Sequence, residues 1–170
     1  MTTEATEDAV AFPPGRQILG LIVSIVLCFG AAGLGGLVTD PQIPAWYAQL
    51  AKPAWTPPNL LFGPVWTALY LCMAVAAWLV WRQGGLAAAK VPLGLFAVQL
   101  ALNALWPLLF FGLRQPGIAA VEIVLLWAAI LATVVAFWNR SRSAALLLIP
   151  YLAWVTFAVF LNYAIWRMNL

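Results

Sequence analysis

The sequence contains no histidine and very little charge. Of its 170 residues, 8 are Lys or Arg and 5 are Asp or Glu, so 8% of the chain is charged. The absence of histidine removes the commonest metal and haem ligand and the usual general base at neutral pH. The net charge of +3 is small and is not gathered in a basic run, so it gives no indication of nucleic-acid binding.

Cysteine is almost as scarce, and the two examples are Cys28 and Cys72. Both lie inside apolar stretches, which favours buried thiols over a disulfide or a metal site. The sequence also offers no nucleophile–base pair, phosphate-binding loop or metal-ligand cluster. We therefore predict no metal site and no required cofactor.

Apolar residues dominate what remains, at 65% of the chain. A soluble domain has about a quarter of its residues charged, so this composition indicates an integral, multi-pass membrane protein in contact with lipid. The predicted fold is an all-α membrane protein, a five-transmembrane-helix bundle with a long loop between helices 1 and 2. The predicted spans, each long enough to cross a bilayer, are Gln17–Val38, Pro57–Arg82, Val91–Leu113, Ile118–Asn139 and Ala144–Trp166.

The chain before the first span is polar and acidic and has two adjacent prolines near its end. It lacks the basic segment of a secretory signal, and the apolar block that follows is long enough to span a membrane. We predict that residues 1–16 form a disordered tail and that residues 17–170 form a single five-helix transmembrane domain.

The connection between the first two spans is unusually rich in proline. Proline restricts its own backbone and that of the preceding residue, which predicts extended structure over much of residues 52–58. We predict a long loop over residues 39–56 that contains one short helix, residues 44–51. Proline at the start of that helix is favourable, because the first turn has no use for its missing N–H.

Aromatic residues accompany these prolines, namely Trp46, Tyr47 and Trp55. Rings on a stiff, membrane-proximal segment suggest a lid over a cavity. The alternative is that they anchor the chain at the membrane surface, where Trp and Tyr collect.

Three spans carry a stripe of aromatic and amide side chains at helical spacing. An amide group in hydrocarbon is costly unless it is paired, so these faces should look toward protein or a cavity rather than lipid. Helices 2, 3 and 5 would then surround one ligand pocket, although ordinary packing between helices is the alternative. The stripes are Trp66, Tyr70, Met73 and Ala77; Gln99, Asn103, Trp106 and Phe110; and Tyr151, Trp154, Ala158 and Asn162.

Two further features of the spans have open interpretations. The small-residue pairs Ala31/Gly35 and Ala32/Gly36 predict a close helix contact, either in a dimer or with a neighbouring helix of the same chain. Glu122 is a charged residue within a span, which makes it a functional candidate. A structural alternative is that its charge is favoured near a helix N-terminus.

Several motifs together resemble the TspO/MBR family, which comprises tryptophan-rich sensory proteins, translocator proteins and the peripheral-type benzodiazepine receptor. They occur in the family's order over about residues 20–169. The most specific combination is K-P-A-W-T-P-P at residues 52–58 with L-N-Y-A-I-W-R at residues 161–167. Between them stand F-G-P-V-W-T-A-L-Y at residues 62–70 and Q-L-A-L-N-A-L-W at residues 99–106.

The resemblance implies a five-helix bundle, usually a homodimer, with a pocket under the loop between helices 1 and 2. Members of the family bind protoporphyrin IX and related tetrapyrroles, cholesterol or other steroids, and benzodiazepine-type drugs. Some bacterial members are reported to degrade protoporphyrin in a light- and oxygen-dependent reaction that needs two tryptophans. Trp66 and Trp154 match those positions. Ala158 and Asn162 match a pocket-lining small residue and a ligand-side amide, and Glu122 matches a position where some members carry an acid.

We therefore predict a Trp-lined pocket between helices 1, 2, 3 and 5 that binds protoporphyrin IX or a related hydrophobic ligand. A weaker pattern, Leu161, Tyr163 and Arg167, fits a proposed sterol motif, but it equally fits residues that anchor a helix end. The predicted ligand-binding residues are Trp46, Tyr47, Trp55, Trp66, Tyr70, Asn103, Trp106, Tyr151, Trp154, Ala158 and Asn162.

Three functions are compatible with this pocket. The first is a sensory or translocator-type binding protein. The second is an enzyme that degrades protoporphyrin with light and oxygen, with Trp66 and Trp154 as catalytic residues. The third, a porphyrin or steroid transporter, is less favoured, because five spans offer no even inverted repeat and no chain of ionisable groups crosses the membrane.

Overall fold

The computed structural model describes residues 12–170, and within this range the secondary structure is helical without a strand. Among the described residues, five helices are long and apolar enough to cross a membrane, as predicted. A π-helical turn, Leu108–Gly112, extends the third one. The five helices are α1 (Pro14–Thr39), α2 (Asn59–Trp81), α3 (Lys90–Pro107), α4 (Pro116–Trp138) and α5 (Arg142–Met168).

The start of the chain differs in part from the prediction. Residues 1–11, most of the predicted disordered tail, lie outside the described residues. Residues 14–16, also assigned to the tail, belong to α1, which begins at Pro14 rather than Gln17. Proline fits the first turn of a helix, because its N–H would have no intrahelical partner there.

The five helices form a closed ring. Extensive contacts join α1 to α2, α2 to α5, α5 to α4, α4 to α3 and α3 back to α1. In this order α2 and α3, which are consecutive in the chain, are not neighbours in the ring. The inner faces of α2, α3 and α5 surround one interior space. The outward faces remain apolar and exposed, as expected for helices in contact with lipid.

Near the C-terminal end of α1, the contact between α1 and α3 depends on a small residue. A Cβ atom on Gly35 would lie 3.1 Å from Cγ of Pro107, so the two backbones approach closely at this point. Ala31, one turn earlier on the same face, is also buried. The Ala31/Gly35 pair therefore serves a contact within the chain, which is one of the two alternatives left open by the sequence.

Pro107 also changes the helix that follows it. Its ring nitrogen has no N–H to donate, and the ladder continues with a wider turn in which the Leu113 N–H donates to the Leu108 carbonyl at 2.8 Å. Phe110 and Phe111, adjacent in the sequence, are both buried in this turn. An ordinary helix would direct neighbouring residues about 100° apart, so the wide turn helps to place two rings inside.

The loop between α1 and α2 departs from the predicted single helix over residues 44–51. It contains two short turns instead, an α-helical turn at Gln42–Ala45 and a 3₁₀ turn at Tyr47–Gln49. The Lys52 ammonium donates to the carbonyl oxygens of Tyr47 at 2.6 Å and Leu50 at 2.9 Å. These bonds satisfy carbonyls that a continuous helix would have used, and they stabilise the tighter path of the chain.

The far end of this loop is attached to the last residues of α5. The Asn169 side chain accepts a hydrogen bond from the Ala51 N–H at 3.0 Å and donates one to the Ala51 carbonyl at 2.9 Å. The same amide also donates to the Ile165 carbonyl at 2.7 Å. The loop is thus held over the ends of the helices by a paired side-chain contact.

Candidate functional site

A cavity of about 320 Å³ lies between α1, α2, α3 and α5, and α4 contributes to its inner end. This volume is near the lower end of the roughly 300–1,000 Å³ range of small-molecule pockets. Ile43 and Tyr47 from the loop form part of its boundary. The position agrees with the predicted pocket between helices 1, 2, 3 and 5 under the loop.

Aromatic rings form a large part of the cavity wall. The indole of Trp106 stacks on Phe110, with ring centres 4.9 Å apart and planes inclined by 22°. Trp154 meets the edge of Phe62 at 5.9 Å. The aromatic residues that line the cavity are Phe29, Tyr47, Phe62, Trp66, Tyr70, Trp106, Phe110, Phe111 and Trp154.

Asn162 joins three helices at the cavity wall. Its carbonyl oxygen accepts a hydrogen bond from the Trp106 indole N–H at 2.9 Å, and its amide nitrogen donates to the Pro116 carbonyl at 2.8 Å. Residues of α3, α4 and α5 are thereby linked. These bonds occupy the Trp106 N–H, the Asn162 carbonyl oxygen and one of the two amide N–H groups.

A second amide, Asn103, links two buried tyrosines. The Tyr70 hydroxyl donates to the Asn103 carbonyl oxygen, and the Asn103 amide donates to the Tyr151 hydroxyl at 2.8 Å. Trp66 packs against both phenol rings, with centre distances of 5.6 Å to Tyr70 and 6.3 Å to Tyr151. Residues of α2, α3 and α5 therefore form one connected layer, and the Tyr151 ring stands behind it, fully buried.

The aromatic residues of the loop have different positions. Tyr47 lines the cavity, and burial raises the pKa of its phenol, so the hydroxyl is neutral at physiological pH. Trp46 lies outside the lining and packs edge-on against Phe110 at 5.6 Å. Trp55 is half exposed and contacts Phe157 at 5.7 Å. Only one of these three rings therefore reaches the cavity directly.

Most of the predicted ligand-binding residues come together at this cavity. Trp46, Trp55 and Tyr151 are the exceptions, since they support the lining from behind or beside it. The residues that line it are Tyr47, Trp66, Tyr70, Asn103, Trp106, Trp154, Ala158 and Asn162.

Sequence reasoning missed several lining residues. Phe62 stands one turn before Trp66, and the repeated aromatic spacing could have indicated it. Phe29 is an isolated ring in an apolar span, and no pattern distinguishes it from a lipid-facing residue. Asp40 directly follows α1 and Asn59 begins α2, and both lie at the edge of the cavity. They are distant in the sequence, so only the folded loop brings them together.

The weak sterol pattern does not form a single surface. Leu161 is buried and lines the cavity, whereas Tyr163 is 55% exposed on the outside of α5. Arg167 is exposed near the end of the same helix. This arrangement agrees better with the alternative interpretation, in which Tyr163 and Arg167 anchor a helix end at the membrane surface.

Glu122 is buried but does not line the cavity. Its carboxyl oxygens have no hydrogen-bond partner among the described residues. Because α4 begins at Pro116, Glu122 lies nearly two turns into the helix. The field of a helix N-terminus falls off within the first turn, so that alternative loses its support. The Gln99 amide is likewise buried without a partner within residues 12–170.

The fold and the cavity together define an integral, multi-pass membrane protein with an aromatic site inside its helix bundle. The chain belongs to the TspO/MBR family, whose model matches residues 23–167. It is 52% identical to the translocator protein of Homo sapiens over 160 residues. This aligned region covers 92% of each chain. It is 43% identical over 159 residues to the tryptophan-rich protein TspO of Chlorobaculum tepidum, covering 91% of this chain and 98% of that one. Protein CrtK of Rhodobacter capsulatus is 41% identical over 151 residues, 86% of this chain and 91% of CrtK.

Proposed function

We propose that this protein binds a flat, hydrophobic ligand, protoporphyrin IX or a related tetrapyrrole, and acts as a sensory or translocator-type binding protein. The observation that carries the proposal is the density of rings around one cavity, where Trp66, Trp106 and Trp154 lie among phenylalanines and tyrosines. A stacked or edge-on aromatic contact contributes about 0.5–1.5 kcal/mol beyond the burial of its area. Several such contacts favour a planar ring ligand over an aliphatic one of the same size.

The interior of the site is suited to binding rather than to polar chemistry. Its amides, Asn103 and Asn162, each donate one hydrogen bond and accept one within the protein. A steroid or a benzodiazepine-type compound would make the same apolar contacts with the cavity wall. A tetrapyrrole is large for the cavity, so its binding requires outward movement of the loop or leaves the ring's polar edge at the opening.

A second candidate function is light- and oxygen-dependent degradation of the bound porphyrin. Trp66 and Trp154 both line the cavity, so either indole can contact a porphyrin that fills it. An indole next to a photoexcited ring can supply an electron. This is the role that the resemblance to the family implies for these two residues. The packing of Trp66 against two hydrogen-bonded tyrosines favours this candidate, because phenols can re-reduce an oxidised indole.

One experiment separates these functions. Purified protein in lipid nanodiscs is titrated with protoporphyrin IX in the dark, and binding is followed by quenching of tryptophan fluorescence. The saturated sample is then illuminated in air while the porphyrin absorbance bands are recorded. A stable bound spectrum identifies a binding protein, and a protein-dependent loss of the bands identifies an enzyme. Absence of saturable quenching contradicts both.

The homodimer implied by the family is tested on the same preparation. Measurement of the protein mass in nanodiscs or detergent, with and without protoporphyrin, distinguishes one copy from two. We expect two copies, and a mass that corresponds to a single chain at all concentrations would contradict this expectation.

A further inference from the structure

We propose that the end of the helix bundle opposite the α1–α2 loop binds the phosphate groups of anionic phospholipids. This surface, called the basic end below, is formed by five exposed residues, Arg16, Arg82, Lys90, Arg140 and Arg142. The inference goes beyond the proposed function, because it concerns a different surface and a different partner from the cavity and its ligand.

The order of the helices gathers these five cations at one end of the molecule. Arg16 lies in the first turn of α1, and Lys90 and Arg142 are the first residues of α3 and α5. Arg82 directly follows α2, and Arg140 stands between α4 and α5. Three helix N-termini lie at this end against two C-termini, so the helix dipoles add to its positive charge.

Within residues 12–170, the basic end carries no acidic side chain. The acids described there are Asp40, directly after α1, and Glu122, nearly two turns into α4, and both lie toward the loop. At the loop end, by contrast, Asp40 accompanies the cations Lys52, Arg114 and Arg167. The two ends therefore differ in charge, and the basic end is the one suited to an anionic partner.

Aromatic rings hold three of the arginines at the ends of their helices. A guanidinium that lies on a ring keeps its N–H edge available for bidentate contact with a phosphate. Tryptophan rings collect at the level of the lipid headgroups, so these contacts also place the charge at the depth of lipid phosphate. The pairs are Arg16 over Phe12 at 4.0 Å, Arg82 over Trp78 at 4.9 Å and Arg142 over Trp138 at 5.8 Å.

Two of these arginines lie on one connected cluster where α1 meets α2. Phe12, which carries Arg16, packs on Trp81 with ring centres 4.8 Å apart. The indole of Trp78, which carries Arg82, donates a hydrogen bond to the Gln17 carbonyl at 2.9 Å. The cluster joins the two helices, so its guanidiniums are positioned by packing rather than held on freely moving side chains.

The test measures which lipids lie in contact with the protein. Full-length protein is reconstituted in phosphatidylcholine vesicles that contain a trace of spin-labelled lipid, either phosphatidylglycerol or phosphatidylcholine with the same chains. Electron spin resonance gives the fraction of each lipid whose motion is restricted by the protein. The variants are Arg16→Gln with Arg82→Gln, and Arg140→Gln with Arg142→Gln. Arg114→Gln with Arg167→Gln is the matched control, because it removes two cations from the loop end.

We expect phosphatidylglycerol to be enriched about 2- to 5-fold over phosphatidylcholine at the wild-type protein, as for a basic contact at a membrane surface. Each pair of substitutions at the basic end should lower this ratio, whereas the control pair should leave it nearly unchanged. Salt at about 1 M should bring the ratio close to one, because exposed charges are then screened within about 3 Å. None of the substituted residues lines the cavity, so an unchanged protoporphyrin titration verifies that each variant is folded. Where a pair fails to fold, its two single substitutions replace it.

The sequence before Phe12 contains three acids, Glu4, Glu7 and Asp8, which are the competing partners for the same cations. Their replacement by Gln, Gln and Asn in the full chain separates the two partners. A lipid preference that emerges only in this variant would overturn the inference for the native protein. Equal restriction of the two lipids by the wild type, or an equal loss of preference in the control pair, would overturn it as well.

Discussion

At the scale of single residues, Asn103 determines how the inner wall of the cavity is held. Its amide joins Tyr70 of α2 to Tyr151 of α5, and all three residues are buried. A buried tyrosine hydroxyl that loses its partner bears the cost of an unsatisfied polar group. Asn103, one amide of the stripe that the sequence placed away from lipid, thus connects helices.

Replacement of Asn103 by alanine should therefore destabilise the protein, by about 1–3 kcal/mol, because two buried hydroxyls lose their partner. The measurement is thermal unfolding in detergent, followed by near-UV circular dichroism. Leu105→Ala is the control, since Leu105 lies on the outer face of the same helix and is 39% exposed. Equal midpoints for the two variants would contradict a structural role for this amide.

Trp66 and Trp154 allow binding and photochemistry to be separated. Phenylalanine keeps a ring at either position, so Trp66→Phe and Trp154→Phe should weaken protoporphyrin binding only modestly. Each should abolish photodegradation if an indole is the electron donor, because phenylalanine is much harder to oxidise. Both properties are measured on one sample by titration in the dark and then by absorbance loss in the light.

Trp138→Phe is the matched control for this pair. Trp138 ends α4, is 45% exposed and does not line the cavity, so neither property should change. Loss of activity in this variant, with activity kept in the other two, would refute both the assignment of the helix faces and the roles implied by the family.

At the scale of elements, we expect the loop between α1 and α2 to act as a lid over the cavity. Its prolines and its length predict that residues 39–57 are the most mobile part of the folded domain and close on the ligand. Its observed position depends on few polar contacts, chiefly those of Lys52 and Asn169. Such a segment can open without disrupting the helices.

Asn169→Ala should release the loop from the end of α5, because it removes both hydrogen bonds to Ala51. Hydrogen exchange over residues 46–57 should become several-fold faster in the unliganded protein, while ligand restores part of the protection. Met168→Ala, at an exposed neighbouring position, serves as the control. Equal loop protection with and without ligand in the wild type would exclude a lid.

At the scale of the whole molecule, the lack of histidine limits how a tetrapyrrole can be held. Haem would have no histidine–iron bond available anywhere in the chain. Neither cysteine lines the cavity, and Cys28 is fully buried. Tyr47 and Tyr70 do line the cavity, but no partner pattern singles out a tyrosine or a methionine as an iron ligand, so we expect a tetrapyrrole to be bound chiefly through its ring.

It follows that metal-free protoporphyrin should bind at least as tightly as haem. Parallel titrations of the two ligands, with absorption spectra of the haem complex, test this. A much tighter haem complex with the spectrum of a thiolate ligand would overturn it, because it would require Cys28 or Cys72 to reach the iron.

The five spans and the inward faces of three of them could be predicted from the sequence. A helix needs about 20 apolar residues to cross a bilayer, so length and composition are sufficient to locate the spans. Helical periodicity is equally local, and it placed Trp66, Asn103 and Asn162 on faces that prove to be interior. The family motifs pointed to the same region before any helix had been positioned.

Tertiary structure alone decided which rings surround the cavity. Trp55 belongs to the most specific motif and Trp46 to the same loop, yet they pack on Phe157 and Phe110 outside the lining. Their positions depend on where the loop turns, and that turn is set by contacts with residues distant in the sequence, Asn169 among them. Periodicity specifies the face of one helix, whereas the closed order of five helices follows from packing between them.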